Sequence, residues 1–435
     1  MTVPDQCDVA IIGGGPAGSL AGTFLSQMGY DVVLFDKQKH PRYQVGESLI
    51  PDFWRYCDEA GVSDRIAAEG FIQKAGGSVS WNGVMHRISF KDFGYTRPAL
   101  HVERDRFDHI LLEHAKEQGA SVIEEVSVLR ADFDRADEVQ VVYRSVGGDN
   151  SGQIGCRFVI DASGQNAVVG KQLGLRAIDP AFRFMSVWGY FEGSHYLAAD
   201  GNIYPAEKAR TTPPTTYVTS IPEAEDLGWA WHILLRECTS VGLVLPRAFA
   251  KATKAPGESW EAYFLRQCEA LPLMRRLLAE SRFCEGSVRL IRDYSYRSTQ
   301  VAGPGFFLIG DAAGFIDPIF SVGMVLAMYS AHAAAWAIDR CFKEPERLET
   351  HQEIFTNQMQ SRLELGRSLA LPRYQTTDRA SNQAKEAVQF ASIQSQELMH
   401  AASLMTARSE NFEDMVDDER ARKVSPGKLQ VVGDV

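Results

Sequence analysis

A short apolar run, Val9-Ala10-Ile11-Ile12, leads straight into Gly13-Gly14-Gly15-Pro16-Ala17-Gly18, a G-x-G-x-x-G turn. The run is rich in β-branched residues and too short for a helix, so it reads as a buried strand. Residues 19–28 carry a helical pattern, Gly29-Tyr30 breaks it, and a second apolar run, Val32-Val33-Leu34-Phe35, ends on Asp36. Strand, turn, helix, strand and acid in this order spell a dinucleotide-binding unit. Gly13 makes the tight turn, Gly15 lets backbone approach a pyrophosphate, and Gly18 lets helix pack on strand. Pro16 and Ala17 open the helix, whose N-terminal N–H groups and dipole favour the pyrophosphate. Asp36 is placed to accept hydrogen bonds from a ribose, and an acid there rather than Arg favours an adenosine without a 2′-phosphate. NAD and FAD both satisfy these residues.

With 435 residues the chain is too long for one two-layer domain, and two or three lobes around a large core are expected. The formal net charge of −11 and the absence of a basic run argue against a nucleic-acid partner. Seven cysteines (Cys7, Cys57, Cys156, Cys238, Cys268, Cys284 and Cys341) are scattered without C-x-x-C or metal spacing. They read as reduced, buried thiols of a cytoplasmic protein that holds no metal. No basic n-region precedes the first strand, so a secretory leader is not expected. The most apolar long stretch, residues 305–338, is interrupted by Asp311 and Asp317 and reads as a buried strand-to-helix passage rather than a membrane span.

Further along, helical patterns cover residues 53–60 and 62–69. Residues 76–81 and 84–90 read as a hairpin turning at Asn82-Gly83. A helix is expected over 106–118, strands over 121–129 and 138–143, and a strand at 158–161 that ends in the small-residue turn Ala162-Ser163-Gly164. Strand-like runs alternate with turns from 183 to about 245, a helix follows over 260–279, and another over 323–341. The polar stretch from 344 to about 415 reads as helical, and the charged tail from 417 as loose. Strand-turn pieces at 158–164 and 305–311 are expected to complete the first sheet, with a mainly antiparallel lobe inserted between. The fold class is therefore α/β. A discontinuous dinucleotide domain (1–75, 100–182 and 285–343) carries a β-rich substrate domain (76–99 and 183–284) and a C-terminal helical segment (344–435). Such an arrangement belongs to flavoprotein oxygenases more than to NAD dehydrogenases.

Later segments fit a flavin. Arg104 in Arg104-Asp105-Arg106-Phe107-Asp108 can place a cation near an anionic cofactor, although alone it reads as a solvated helix start. Asp161-Ala162-Ser163-Gly164 ends a strand where small residues allow close approach, or is an ordinary turn. In Gly310-Asp311-Ala312-Ala313-Gly314, Asp311 can accept hydrogen bonds from ribityl hydroxyls or simply cap a helix. In order, and over roughly residues 1–345, these pieces resemble the FAD-dependent aromatic hydroxylase superfamily.

Three segments narrow the resemblance to flavin-dependent halogenases. Residues 40–51, His40-Pro41-Arg42-Tyr43-Gln44-Val45-Gly46-Glu47-Ser48-Leu49-Ile50-Pro51, are similar to that family's H-P-R-x-x-V-G-E-S-x-x-P segment. Phe315-Ile316-Asp317-Pro318-Ile319-Phe320-Ser321-Val322-Gly323 matches its F-x-x-P-x-x-S-x-G motif at every fixed position. Lys74 stands where the family has its catalytic lysine; without the resemblance it reads as a solvated surface charge. One departure stands out. The family's W-x-W-x-I-P is Trp229-Ala230-Trp231-His232-Ile233-Leu234 here, with Leu234 for proline. Two tryptophans two apart also suit plain core packing.

The resemblance implies the following. FAD is held by Gly13, Gly15, Pro16, Ala17, Gly18, Asp36, Lys37, Arg42, Ser48, Arg104, Asp161, Gly310, Asp311, Pro318, Gly323 and Met324. It is reduced to FADH2 by a separate flavin reductase. Halide binds at the backbone of Val322 and Gly323. Hypohalous acid then passes to Lys74, which holds it by hydrogen bond or as a haloamine and delivers halogen to an electron-rich ring. Phe320, where tryptophan halogenases carry Glu, and the shorter chain point to the branch acting on phenols, pyrroles or carrier-protein-bound aromatics. An FAD monooxygenase that hydroxylates an aromatic, and a non-catalytic flavoprotein of a carrier-protein complex, are the alternatives.

Overall fold

The structure, a computed structural model, describes residues 3–370 apart from Asn82, Ala136, Asp149, Glu225, Asp226 and the side chain of Leu369. The expected turn at Asn82 and the helical and charged stretches beyond 370 lie outside the described residues.

Strand β1 (Gln6–Ile12) runs down the middle of an eight-stranded mixed sheet. It pairs in parallel with β2 (Val32–Phe35) on one side and with Ser151–Asp161 on the other. Phe306–Leu308 continues the parallel order beyond Ser151–Asp161, and Ser121–Ile123 beyond β2. The strand-turn pieces near 158 and 305 thus join the sheet, as expected. Burial of β2 at every position explains its unbroken apolar run, since a parallel sheet is covered on both faces. Helix α1 (Pro16–Gln27) packs against the helices Arg104–Glu117 and Gly323–Lys343. It starts three residues before the sequence pattern suggested because Pro16 occupies its first turn, where a missing N–H costs nothing.

A second eight-stranded sheet is antiparallel except where Thr215–Ile221 pairs in parallel with Gly76–Trp81. Its order runs Arg282–Phe283, Phe184–Glu192, Thr239–Pro246, Gly228–Leu234, Thr215–Ile221, Gly76–Trp81 and Val84–Ser89, with Arg289–Arg292 beside Phe184–Glu192. Every residue of Gly228–Leu234 is buried because the strand lies between two cores. Trp229, Trp231 and Ile233 join the large core of the first sheet, while Ala230 joins a second core with Tyr263, Phe264, Met274 and Leu277. The helix expected over 260–279 is two helices, Trp260–Ala270 and Pro272–Leu278. Leu271 between them is extended, as a residue before proline prefers. Leu348–Ala370 forms a helix that packs on Gly323–Lys343. Among the described residues no helix is long and apolar enough to cross a membrane.

Candidate active site

The turn after β1 is built for close approach. Gly13 has φ +107°, and a Cβ there would sit 2.5 Å from the Ala162 carbonyl oxygen. A Cβ on Gly18 would lie 1.9 Å from the Gly13 carbonyl oxygen, so helix and turn touch only because both residues are glycine. Gly15 is different. It precedes α1 with no side-chain cap, and its Cβ would meet nothing nearer than Arg42 Nη2 at 3.5 Å. An uncapped helix N-terminus facing open space fits a pyrophosphate. Pro16 and Ala17 are buried in the same turn.

Asp36, buried at the end of β2, accepts a hydrogen bond from the Gly14 N–H through Oδ2 (2.8 Å) and one from the Gln38 N–H through Oδ1 (2.8 Å). Part of its capacity thus holds the glycine turn, and each oxygen keeps an acceptor position for a ribose. Arg42 Nη2 lies 3.8 Å from Asp36, and Arg42 Nη1 lies 3.3 Å from Asp108. Lys37 is exposed beside them. Arg104 is buried and forked onto Asp108 (2.8 and 3.0 Å), with Nη1 donating to the Val45 carbonyl at 2.7 Å. Its side chain therefore pins the 45–46 backbone as well as bringing positive charge.

Asp161 is fully buried, and its carboxylate is spent within its own loop. It accepts from the Ser163 N–H and hydroxyl through Oδ1, and from the Val169 and Gly170 N–H groups through Oδ2. Its contribution to a cofactor site is the shape of this turn. Gly310 has φ +55°, and a Cβ there would approach Ala17 Cβ to 3.1 Å, so this turn packs against the start of α1. Beside it, burial pushes Asp311 up to about 6, with the Arg104 charge pulling the other way. Among the described residues the Asp311 carboxyl has no hydrogen-bond partner, which suits it to a polyol.

Asp311 shares a cavity with Phe320, Val322 and Gly323, closed on one side by Met359 and Leu363 of the last helix. The loop there is locally determined. Asp317 caps the short turn Pro318–Phe320 by accepting from the Ile319 N–H, and Ser321 takes φ +56°, a costly conformation for a residue with a Cβ. Val322 then precedes Gly323–Lys343 with no side-chain cap, leaving first-turn N–H groups for an anion. Met324 is buried in that first turn.

Lys74 ends the strand Ile72–Lys74, which pairs with Ala99–His101. Only 3% of it is exposed. Its amine donates to Ser48 Oγ (2.8 Å) and to the Leu49 carbonyl (3.0 Å), and lies 5.3 Å from the centre of the Phe90 ring. Among the described residues no carboxylate offsets the burial, which pulls the amine down from 10.5 to about 7. Ser321 Oγ donates to the same Ser48 oxygen at 3.2 Å. The three segments that carried the sequence resemblance therefore meet at one hydroxyl.

Sequence reasoning missed several groups beside them. Trp231 Nε1 donates to Ser240 Oγ (3.1 Å), which donates to buried Glu47 at 3.4 Å, and Tyr190 donates to the other Glu47 oxygen at 2.7 Å. Thr216 and His101 adjoin Ser48. Glu47 stands inside a quoted motif, but nothing local marks Thr216, His101, Tyr190 or Ser240. Leu234 packs in a small cluster with Ile72, Tyr196, Ala198 and Ala209.

A family model described as an FAD binding domain matches residues 6–192. A flavin-dependent halogenase of Armillaria mellea is 33% identical over 356 residues, covering 77% of this chain and 68% of that relative. The chain belongs to the flavin-dependent halogenases. A protein of Chondromyces crocatus named tryptophan 2-halogenase is 36% identical over 340 residues, or 78% of this chain. This chain spans 62% of that relative's length. The solved structure of the myxobacterial chondrochloren halogenase superposes with a TM-score of 0.78 at 28% identity, covering 93% of this chain and 97% of that one. The expected α/β class with an antiparallel lobe and C-terminal helices holds. The cofactor is FAD; uncapped α1 and open Gly15 fit its pyrophosphate, and Asp311, whose carboxyl has no hydrogen-bond partner among the described residues, fits its ribityl chain.

Proposed function

We propose that the chain halogenates an electron-rich aromatic, using chloride or bromide, dioxygen and FADH2 from a separate flavin reductase, with Lys74 as its catalytic residue. The observation that carries this reading is the desolvated amine of Lys74, joined through Ser48 to the Ser321 loop. Gly13, Gly15, Pro16, Ala17 and Gly18, with Asp36, Lys37 and Arg42, would hold the ADP half. Gly310 and Asp311 would hold the ribityl chain and Pro318, Gly323 and Met324 would line the flavin, with Arg104 lending positive charge to the cofactor, and Asp161 and Ser48 shaping its site through their turns. The Val322 and Gly323 N–H groups would hold halide.

When bound and reduced, FAD supplies the activation of dioxygen by which halide is oxidised. In balance, aromatic C–H, halide, dioxygen, a proton and reduced flavin give aryl halide, oxidised flavin and two waters. The protein's own work is confinement and delivery. Lys74 accepts a hydrogen bond from hypohalous acid while neutral, and its pKa near neutrality keeps that form abundant. Buried walls keep the oxidant from Met and Cys side chains elsewhere. Seven free cysteines accord with a cytoplasmic, reducing setting.

Phe320 favours phenols and pyrroles, free or on a carrier protein. The likeness to a protein named tryptophan 2-halogenase adds free tryptophan to the panel. The test is a product mass spectrum with FADH2 from a generic reductase, oxygen, bromide or chloride, and phenols, pyrroles and tryptophan. A halogen isotope pattern that vanishes with Lys74→Ala supports the reading. A gain of one oxygen, indifferent to halide and to Lys74, makes the protein a hydroxylase instead.

A further inference from the structure

Beyond Ser48 runs a buried line of polar groups that the reading above does not use. Ser48 Oγ lies 2.9 Å from Thr216 Oγ1, Thr216 Oγ1 lies 2.8 Å from His101 Nε2, and His101 Nδ1 lies 3.0 Å from the Leu234 carbonyl oxygen. Ser48, Thr216 and His101 are all buried, His101 completely. They come from separate strands and loops, and an isolated bridge joins the backbones of Ser48 and His101.

The direction of every hydrogen bond in this line follows from its far end. A carbonyl only accepts, so His101 Nδ1 carries the proton that reaches Leu234. Burial, with Lys74 and His232 nearby, pushes the imidazole well below its ordinary range, so it is neutral and Nε2 is an acceptor. Thr216 must then donate its single hydroxyl proton to Nε2. Ser48 in turn must donate its own to Thr216. Nothing remains on Ser48 Oγ to give Lys74 or Ser321, and it accepts from both. A neutral amine has two N–H groups, and both are already directed, one at Ser48 Oγ and one at the Leu49 carbonyl.

We infer that Thr216 and His101 are positioning residues for Lys74, holding the Ser48 hydroxyl as an acceptor so that the lone pair of the neutral amine stays open for the oxidant. This rests on the reading of Lys74 as the residue that receives hypohalous acid. It also gives the strand of the altered W-x-W-x-I-P segment a mechanical role through its backbone. The Leu234 carbonyl, not its side chain, sets the polarity of the line. Among the described residues the other titratable groups acting on the line are His232, whose charge reaches His101 and whose Nε2 lies 3.3 Å from Ser194 Oγ, and Glu47, which accepts from Tyr190.

Thr216→Val keeps the shape and removes the relay. The Ser48 proton is then free to reach the amine lone pair, which stabilises the neutral amine and competes with the oxidant. In the FAD-loaded enzyme, the lysine 13Cε resonance assigned to Lys74 by its loss in Lys74→Met is expected to titrate about half a unit or more lower in Thr216→Val. With reductase and substrate, kcat is expected to fall roughly fivefold at unchanged aromatic KM, the worth of one misdirected hydrogen bond. Thr216→Ser, which restores the hydroxyl, returns both. His101→Leu behaves as Thr216→Val does, while His101→Gln, able to donate to Leu234 and accept from Thr216, stays near wild type; this pair serves if Thr216→Val does not fold. A Lys74 titration and kcat indifferent to Thr216→Val and His101→Leu overturn the relay, even where Lys74→Ala abolishes product. Halogenated product from Lys74→Ala at the normal rate instead overturns the role of Lys74, and the titration then still reads the wiring by itself.

Discussion

Lys74 and Ser321, far apart in the chain, converge on one atom: each donates to Ser48 Oγ, at 2.8 and 3.2 Å. The loop proposed to hold halide and the amine proposed to carry the oxidant are thereby joined by a single hydroxyl. Ser321 has φ +56°, so the loop carries backbone strain where it touches the site.

The burial of Lys74 has a sign in pH. Between about 7 and 10.5 the unfolded chain holds the lysine proton and the folded chain does not, so stability rises with pH across that window. The stability of Lys74→Met relative to wild type is expected to be greatest at pH 7 and to fall by roughly 3 kcal/mol toward pH 10. Thermal melts at both pH values check this; an equal gap at both would show that the amine is not desolvated.

Two glycines of one turn are expected to behave in opposite ways. Gly18→Ala drives a methyl to 1.9 Å from backbone and is expected to cost folding itself, with FAD binding lost in consequence. Gly15→Ala meets only the flexible end of Arg42 at 3.5 Å, so it should melt near wild type yet bind FAD at least roughly tenfold more weakly. Flavin fluorescence and melting temperature separate the two; Gly15→Ala with wild-type FAD affinity would remove the pyrophosphate from this turn.

Gly323→Ala places its methyl 3.4 Å from the Phe315 ring, an ordinary contact. Fold and FAD affinity are expected to survive, while the KM for halide rises about tenfold as the methyl crowds the anion at the helix start. Halide titration of the rate, beside flavin fluorescence, decides it. A rate loss that saturating halide does not relieve would place the anion elsewhere.

A methyl on Gly242 would lie 2.2 Å from the Trp231 ring, whereas one on Gly77 in the same sheet meets nothing closer than 3.9 Å. Gly242→Ala is expected to cost about 2–3 kcal/mol by displacing Trp231 from Ser240, and Gly77→Ala far less. Denaturant titrations of the two variants test whether Trp231 is as tightly seated as its contacts require.

What the sequence determined by itself was whatever a contiguous stretch dictates. Gly13, Gly15 and Gly18 sit between two apolar runs because the backbone must turn, open and pack within a few residues. Asp317, Pro318, Ser321 and Gly323 spell a capped turn and a helix start in nine positions from Phe315. Such demands are local, so they leave a spacing that can be read. Lys74 could be named by its motif neighbourhood, but not its burial, which depends on strands folded over it from residues 99 and 215. The line from Ser48 through Thr216 and His101 to Leu234 has no spacing at all, since its members are brought together by pairing in two different sheets and a loop. Ser48 stands in a motif, but the Thr216 hydroxyl and the His101 imidazole are unremarkable in sequence. Only their removal from water together, with a backbone carbonyl at the end, fixes which way the protons point.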